Sequence, residues 1–260
     1  MTKIAVIGAG NMGASIVASL PAERFDVVCT ARTRATLERL KSSLPHIETT
    51  LSNSEAVADA DIVVLAVKPY MVAEVAGQIA SCLRPGALVM SVVAALPISD
   101  LKSLLAAASR GIKVMRVIPN TAIRYGKSVT FIAAAEDVDV AMLQVATDIF
   151  NLSGKAFVIP EKDMAACTAL ASCGIAYFLR FIRSCVEGSV ELGLRPDFAT
   201  EVAALTAEGA AALLKSGAHP EQEIDRVTTP GGLTIRGLNA LEAGGMTSAV
   251  ISALRASVSE

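Results

Sequence analysis

Residues 3–13 read KIAVIGAGNMG, and the fold of the chain is predicted from this segment outward. A short apolar run, residues 4–7, is followed at once by the spacing G-x-G-x-x-G and then by an apolar helical pattern over residues 12–20. Three glycines alone could belong to an ordinary turn. A strand before them and a helix after them are the context that a dinucleotide-binding unit requires. We therefore predict that the chain begins with a Rossmann strand, turn and helix.

Each glycine of this turn has a predicted role. Gly8 permits the tight turn, Gly10 lets a pyrophosphate approach the backbone, and Gly13 lets the helix and the strand pack closely. The phosphates would lie on free N–H groups at the helix N-terminus, where the helix dipole favours negative charge. The predicted cofactor contacts in this turn are Gly8, Gly10, Asn11, Met12 and Gly13.

The residues after the second strand distinguish NADP from NAD. An NAD enzyme usually has Asp or Glu here for the ribose hydroxyl, whereas residues 30–34 read TARTR. Two hydroxyls and two guanidiniums would meet a 2′-phosphate, and no carboxylate would repel it. Solvated loop charges are the alternative explanation of these arginines. We predict NADPH as the cofactor, with NADH weaker, and Arg32 and Thr33 among its contacts.

Two further stretches are predicted at the same edge of the sheet. Residues 66–69 (AVKP) and residues 116–121 (RVIPNT) each follow or end a strand, and ligands of such folds lie at the carboxyl ends of the strands. Asn120 could hold a carboxamide or an ordered loop. The predicted cofactor contacts here are Ala66, Val67, Lys68, Pro69 and Asn120.

The order of apolar runs predicts an α/β fold in two parts. Strand-like runs fall at residues 3–7, 26–30, 62–67, 88–93, 113–117, 129–133 and 156–159, with helical patterns between them. After Pro160 the pattern is all helical, over residues 161–192, 197–216, 233–242 and 247–257. We predict an N-terminal Rossmann domain with a mainly parallel sheet, residues 1–160, and an all-helical C-terminal domain, residues 161–260.

Composition narrows the class of protein. Hydrophobic residues make up 53% of the 260 residues, and the formal net charge of −2 argues against a nucleic-acid partner. The apolar stretch 164–179 is shorter than the roughly 20 residues of a membrane span, so we predict an oligomer interface there and no membrane partner. Five scattered cysteines without a CxxC pair predict no disulfide, no metal site and a cytoplasmic location.

Residues 227–235, VTTPGGLTI, stand out in the helical half. Two hydroxyls, a proline and a Gly-Gly pair precede a helix that begins near Leu233. The N–H groups of Gly232, Leu233 and Thr234 would then be free to bind a carboxylate. A helix cap and turn explain the same spacing equally well.

Together, these motifs make the chain resemble the pyrroline-5-carboxylate reductase family over essentially its whole length. The most specific match is residues 227–235, with Gly237-Leu238 and Leu241-Glu242 behind them. The resemblance implies hydride transfer from NADPH to the C=N bond of 1-pyrroline-5-carboxylate, which gives L-proline. It also implies a helical domain for dimerisation and substrate binding, which forms an intertwined homodimer that often assembles into a decamer.

The resemblance also implies roles for individual residues. The substrate carboxylate would rest on backbone N–H groups and on the Thr229 hydroxyl, while Thr234, the predicted catalytic residue, would hydrogen-bond the ring nitrogen. The implied substrate contacts are Thr229, Gly231, Gly232, Leu233 and Thr234. Because the cofactor carries the hydride, this chemistry needs no buried acid–base pair, and neither His46 nor His219 is predicted to be a catalyst.

The chain departs from the family at several positions. The usual Gly-Ser-Gly-Pro-Ala-Tyr is replaced by residues 171–177, ASCGIAY, so that Ile175 stands for the proline. Tyr70 replaces the usual Gln after Lys68-Pro69. The alternatives are a related imine reductase, a β-hydroxyacid dehydrogenase and a non-catalytic NADP(H) sensor. A hydroxyacid dehydrogenase of this plan needs a helical-domain lysine, and Lys215 is the only lysine after Lys162.

Overall fold

The computed structural model describes residues 1–108 and 111–258. Backbone contacts divide the chain into two compact units, Met1–Ser172 and Cys173–Glu260. The predicted α/β fold, a mainly parallel sheet followed by helices alone, is confirmed. The domain boundary at residue 160 stays a prediction, since the units divide further along, inside a long helix.

The first unit contains an eight-stranded sheet in the order β3-β2-β1-β4-β5-β6-β7-β8. The strands are β1 (Thr2–Ile7), β2 (Phe25–Thr30), β3 (Glu48–Thr50), β4 (Ile62–Leu65), β5 (Leu88–Ser91), β6 (Lys113–Ile118), β7 (Ser128–Ala134) and β8 (Gly154–Val158). Strands β1 to β6 are mutually parallel, β7 is antiparallel to β6, and β8 is parallel to β7. The chain reverses its direction of growth across the sheet between β1 and β4, which creates the crevice that binds ligands in such folds.

Helices cover both faces of this sheet. They are α1 (Asn11–Ala18), α2 (Arg34–Ser43), α3 (Asn53–Val57), α4 (Val72–Ile79), α5 (Ile98–Leu104), α6 (Val140–Asn151) and α7 (Met164–Thr168). One core packs Ile16 of α1 and Ile149 of α6 against the sheet, and the other packs Val75 of α4 and Leu101 of α5. Burial on both faces explains why the strands read as continuous apolar runs.

Four short or weakly patterned elements were absent from the predictions. Strand β3 has three polar residues, Glu48–Thr50, at the edge of the sheet, and therefore lacks an apolar signature. Helices α3 and α6 were also missed, although Asp139 caps α6 by accepting the Met142 N–H at 2.8 Å, a signal that the sequence contains. The fourth is α10 (Pro220–Arg226), a seven-residue helix that begins directly after His219.

The second unit is helical throughout its described residues. Its helices are α8 (Gly174–Glu191), α9 (Pro196–Leu214), α10 (Pro220–Arg226), α11 (Leu233–Ala243) and α12 (Met246–Ala256). His219 caps α10, since its Nδ1 accepts the Glu221 N–H at 3.2 Å and Pro220 occupies the first turn. The structure thus gives His219 a capping role, while its exclusion from catalysis stays a prediction.

One helical run among the described residues, Glu161–Glu191, is long and apolar enough to cross a membrane by length and composition. The expectation that this stretch is too short for a span was therefore wrong. As predicted for residues 161–192, the helix continues through a π-helical turn, Ala169–Cys173, into α8 and ends at Glu191, two residues before Gly193, whose φ is +92°. An apolar helix of a protein interface meets the same criteria, so the length alone does not identify a span.

The second unit has almost no core of its own. Among its described residues only Gly174, Val186 and Ala199 are buried. Large apolar side chains lie exposed instead, including Phe178 at 69% and Leu205 at 61%. A monomeric domain rarely leaves so much apolar surface in water.

Candidate active site

The glycine turn between β1 and α1 has the geometry of a dinucleotide site. Gly8 has a φ of +107°, and a Cβ on it would lie 2.8 Å from the Ala66 carbonyl oxygen at the end of β4. A Cβ on Gly13 would lie 1.9 Å from the Gly8 carbonyl oxygen. A Cβ on Gly10 would meet no described atom within 4 Å. Two glycines thus permit the packing of β1, α1 and β4, while the third leaves the turn open to a ligand.

The N-terminus of α1 fits a pyrophosphate. Gly10 is its N-cap, no side chain of the described residues caps it, and its first turn contains no acidic residue. The first N–H groups of the helix therefore have no intrahelical acceptor and point to the open side of the turn. Asn11 is exposed there, while Met12 is half-buried against the core.

Thr30, at the end of β2, is buried and forms hydrogen bonds with the glycine turn. Its hydroxyl accepts the Gly8 N–H at 3.3 Å and donates to Asn53 Oδ1 at 2.7 Å, and its carbonyl accepts the Ala9 N–H at 2.7 Å. The expectation that this hydroxyl meets a 2′-phosphate was therefore wrong, because the side chain is 1% exposed and fully engaged. Asn53, which the sequence predictions did not include, also donates to Gln78 Oε1 at 2.7 Å.

The basic residues after β2 are available to a ligand. Arg32 and Arg34 are exposed, and neither has an ion-pair partner in the part of the chain that the structure describes. Thr33 is the N-cap of α2; its hydroxyl accepts the Thr36 N–H at 3.4 Å, and the first turn of α2 has no acidic residue. No acidic residue stands within residues 30–34 or in the first turn of α2, and this suits a phosphate dianion.

Residues 66–69 lie beside the glycine turn, as expected for the strand next to β1. The Ala66 N–H donates to the Ile7 carbonyl at 2.9 Å, and Val67 packs against the core. Lys68 is exposed and is the N-cap of a 3₁₀ turn, Pro69–Met71. Gly8 and Ala66 thus meet where β1 and β4 end, which is the crevice of the sheet.

Asn120 is 5% exposed and holds local structure with both ends of its amide. Its Oδ1 accepts the Ala122 N–H at 3.1 Å, and its Nδ2 donates to the Ala171 carbonyl at 3.2 Å. Of the two uses that the sequence suggested, the ordered loop is the one observed. A contact between Asn120 and the cofactor stays a prediction.

Arg116 lies among apolar residues in the middle of β6, a strand that begins at Lys113, and its side chain is largely buried. Its guanidinium donates to the Ala94 carbonyl and pairs with Glu161 at 3.5 Å. Glu161 also accepts the Ile98 N–H at 2.8 Å and so caps α5. Arg116 therefore joins three segments near the carboxyl edge of the sheet, a role that a single charge within an apolar run could have signalled.

The loop before α11 is a turn closed by its own backbone. The Gly232 N–H donates to the Thr229 carbonyl at 2.9 Å, and Gly231 between them has a φ of +70°, as the third residue of a type II turn requires. The expectation that the Gly232 N–H is free was therefore wrong. Arg236 closes the loop further by donating to the Gly231 carbonyl at 3.0 Å.

The start of α11 still offers free donors. Gly232 is the N-cap, no described side chain caps the helix, and the first turn contains no acidic residue. Leu233 and Thr234 are exposed, and the Thr229 hydroxyl lies over Gly232, 2.5 Å from where a Cβ would be. The hydroxyls of Thr229 and Thr234 make no hydrogen bond within the described residues. This arrangement can bind a small carboxylate.

The described chain offers few other groups that could bind a metal ion or act as a nucleophile. Over residues 1–108 and 111–258, no three His, Cys, Asp or Glu side chains form a group that could hold a metal ion. All five cysteines are free thiols, and burial raises the pKa of Cys29 to about 12, which keeps that thiol protonated and unreactive.

A Rossmann sheet with this glycine turn at its crevice, followed by a helical unit, defines a dinucleotide-dependent oxidoreductase. A family described as "Pyrroline-5-carboxylate reductase dimerisation" matches residues 161–260, and one described as "NADP oxidoreductase coenzyme F420-dependent" matches residues 3–95. The chain is 37% identical to pyrroline-5-carboxylate reductase 2 of Dictyostelium discoideum over 97% of this chain and 89% of that protein. It is 36% identical to reductase 1 of that organism over 96% of this chain, but spans only 48% of that longer protein.

Solved structures agree with these relatives. A pyrroline-5-carboxylate reductase of Coxiella burnetii superposes with a TM-score of 0.89 at 28% identity, over 99% of this chain and 96% of that one. A Plasmodium falciparum pyrroline carboxylate reductase with NADP bound superposes with a TM-score of 0.87 at 27% identity, over 99% of this chain and 95% of that one. The chain belongs to the pyrroline-5-carboxylate reductase family, and the resemblance seen in its sequence is confirmed.

Proposed function

We propose that this chain reduces the C=N bond of 1-pyrroline-5-carboxylate to give L-proline, with NADPH as the hydride donor. The observation that carries the proposal is the turn Thr229–Gly232 together with the start of α11. There the Thr229 and Thr234 hydroxyls have no hydrogen-bond partner among the described residues, and the first turn of the helix has free N–H groups and no acidic residue. The names of the full-length relatives support the same substrate.

The chain's own residues bind and orient in this reaction. The free N–H groups at the start of α11 and the Thr229 hydroxyl bind the substrate carboxylate, and the Thr234 hydroxyl hydrogen-bonds the ring nitrogen. Gly231, Gly232 and Leu233 form the backbone of that site. NADPH supplies the hydride when bound. Because an imine nitrogen arrives protonated or takes a proton from water, holding the ring in place is the main contribution of the protein.

The cofactor site lies along the carboxyl edge of the sheet. The N-terminus of α1 holds the pyrophosphate, with Gly10, Asn11 and Met12 nearest to it, and residues 66–69 form the opposite wall. Arg32 and Thr33 bind the 2′-phosphate, which favours NADPH over NADH. The bound NADP of the Plasmodium relative supports this choice.

The chain is further proposed to act in the cytoplasm as a homodimer through its helical unit, with assembly into a decamer as the larger form. The exposed apolar side chains of α8 and α9 support a protein partner for that unit. The matching family is described by its dimerisation. A protein partner also accounts for the apolar run Glu161–Glu191 without a membrane.

Loss of NADPH absorbance with 1-pyrroline-5-carboxylate tests the reaction. We expect turnover with the imine, faster with NADPH than with NADH, and no oxidation of a 3-hydroxy acid with NADP⁺. NADPH binding without imine turnover would overturn the substrate, and the sensor role would replace it. Oxidation of the hydroxy acid would favour a hydroxyacid dehydrogenase.

Thr234→Ala should lower kcat/KM by about tenfold to hundredfold, the scale of one lost hydrogen bond to a charged group. Steady-state kinetics measure this, with Thr234→Ser expected to recover most of the loss. Thr228→Ala is the matched control, because that hydroxyl donates to the Asp225 carbonyl at 3.1 Å and is not available to a ligand. Unchanged kinetics in Thr234→Ala would remove Thr234 from its catalytic role.

A further inference from the structure

The aromatic side chain of Tyr70 is exposed to solvent at the edge of the proposed cofactor site. It is 76% exposed in the 3₁₀ turn Pro69–Met71, directly after β4. Its ring has no aromatic or cationic neighbour and its hydroxyl no hydrogen bond within the described residues. Its successors point inward, since Met71 packs on the core and Val72 is 4% exposed. The turn is therefore fixed and its ring faces solvent.

A chain of hydrogen bonds joins α4, the helix that follows the Tyr70 turn, to the end of β2. Gln78, on the helix that follows Tyr70, accepts from Asn53 at 2.7 Å, and Asn53 accepts from the Thr30 hydroxyl at 2.7 Å. Thr30 is two residues before Arg32. The helix that begins after the Tyr70 turn is thus bonded, through Gln78, to the half of the sheet that carries the basic residues after β2.

The position of the 2′-phosphate decides which part of the cofactor lies there. The adenine and the 2′-phosphate share one ribose, so a phosphate held by Arg32 places the adenine within a sugar's length of that side chain. The chain has no Trp, and of its three Tyr only Tyr70 follows a strand on this half of the sheet. Flat aromatic side chains stack on nucleobases of any identity.

We propose that Tyr70 stacks on the adenine ring of the dinucleotide and contributes to cofactor affinity at a position where the family usually has Gln. This inference rests on the cofactor part of the proposed function. The exposed ring is then partly withdrawn from water when the cofactor binds, which is the source of the added affinity. Tyr70 is a cofactor-binding residue in this account and takes no part in the hydride step.

Calorimetric titration with NADPH and with 2′,5′-ADP, which lacks the nicotinamide half, tests the proposal. Tyr70→Ala and Tyr70→Gln should raise the Kd of both ligands about tenfold, and Tyr70→Phe should leave both near the wild-type values. Tyr125→Ala is the matched control: Tyr125 is 72% exposed, follows β6 on the other half of the sheet, and should change neither Kd.

Tyrosine fluorescence gives a second readout, because no tryptophan obscures it. Binding of 2′,5′-ADP should quench the emission of the wild type and of Tyr125→Phe, and the quenching should be lost in Tyr70→Phe. Unchanged Kd values in Tyr70→Ala, with quenching retained in Tyr70→Phe, would overturn the inference and leave the proposed function intact. A change for NADPH but not for 2′,5′-ADP would also overturn it, since the ring would then contact another part of the cofactor. Failure of the wild type to bind either ligand would instead defeat the cofactor part of the proposed function.

Discussion

In the proposed site, Arg32 is the residue that we expect to separate NADPH from NADH most sharply. It is exposed at the end of β2 with no ion-pair partner in the described chain, and the carboxylate that usually binds the ribose of NAD is absent. Thr30, two residues earlier, cannot assist because its hydroxyl is bonded to Gly8 and Asn53. The proposed preference for a 2′-phosphate therefore depends on side chains that the fold leaves free.

Arg32→Ala should raise the Kd of NADPH about tenfold to hundredfold, the scale of a charge-assisted hydrogen bond, and should leave the Kd of NADH nearly unchanged. Fluorescence titration of both cofactors measures this. Arg39→Ala, an exposed arginine further along α2, is the matched control. An equal loss of affinity for both cofactors would contradict the assignment of the 2′-phosphate.

At the scale of elements, Gly10 and Gly13 in the turn between β1 and α1 have different roles. Gly13→Ala would place a Cβ 1.9 Å from the Gly8 carbonyl oxygen, so α1 must move and the melting temperature should fall. Gly10→Ala meets no described atom, so stability should hold while NADPH binding weakens, because the methyl occupies the approach of the pyrophosphate. Thermal denaturation and NADPH titration of both variants test this. Equal melting temperatures would contradict the packing role of Gly13.

A second prediction at this scale concerns the ion pairs that Asp137 forms with α5 and with β6. Asp137 accepts from Lys102 at 2.8 Å and from Lys113 at 3.1 Å, and these bonds, that from Lys102 foremost, lower its pKa to about 2. A depressed carboxyl pKa stabilises the fold above the unfolded value near 3.8, and this stabilisation is lost as the pH falls towards 2. Asp137→Asn should therefore lower the melting temperature slightly at neutral pH, with the difference from wild type vanishing in acid. Glu136→Gln, with no ion-pair partner in the described residues, should show no such difference.

At the scale of the whole molecule, the helical unit needs a partner for its apolar surface. Light scattering after gel filtration should give a dimer or a multiple of it. Leu179→Glu, which places a charge at a side chain 60% exposed on α8, should dissociate or precipitate the protein. Val140→Glu, 83% exposed on α6, should leave the assembly intact. A monomeric wild type, with Leu179→Glu equally soluble and stable, would contradict the homodimer.

The type and the order of most elements follow from local sequence patterns. Seven of the strands, the glycine turn and the long helices follow from periodicity and turn chemistry, which act between near neighbours in the chain. The identity of the family also depended on local motifs, above all residues 227–235. Edge strand β3 and the short helix α3 were not predicted, because they contain too few apolar residues to make a periodic pattern.

Which groups remain free to bind a ligand depends on contacts between segments that are distant in the sequence. The Thr30 hydroxyl is taken up by Gly8 and Asn53, and the Asn120 amide by Ala171, all far away in the sequence. The Gly232 N–H is taken up inside its own turn, and Tyr70 is exposed because its neighbours are drawn into the core. A polar group has a limited number of hydrogen bonds to make, so its availability depends on where distant segments meet, and periodicity carries no information about that.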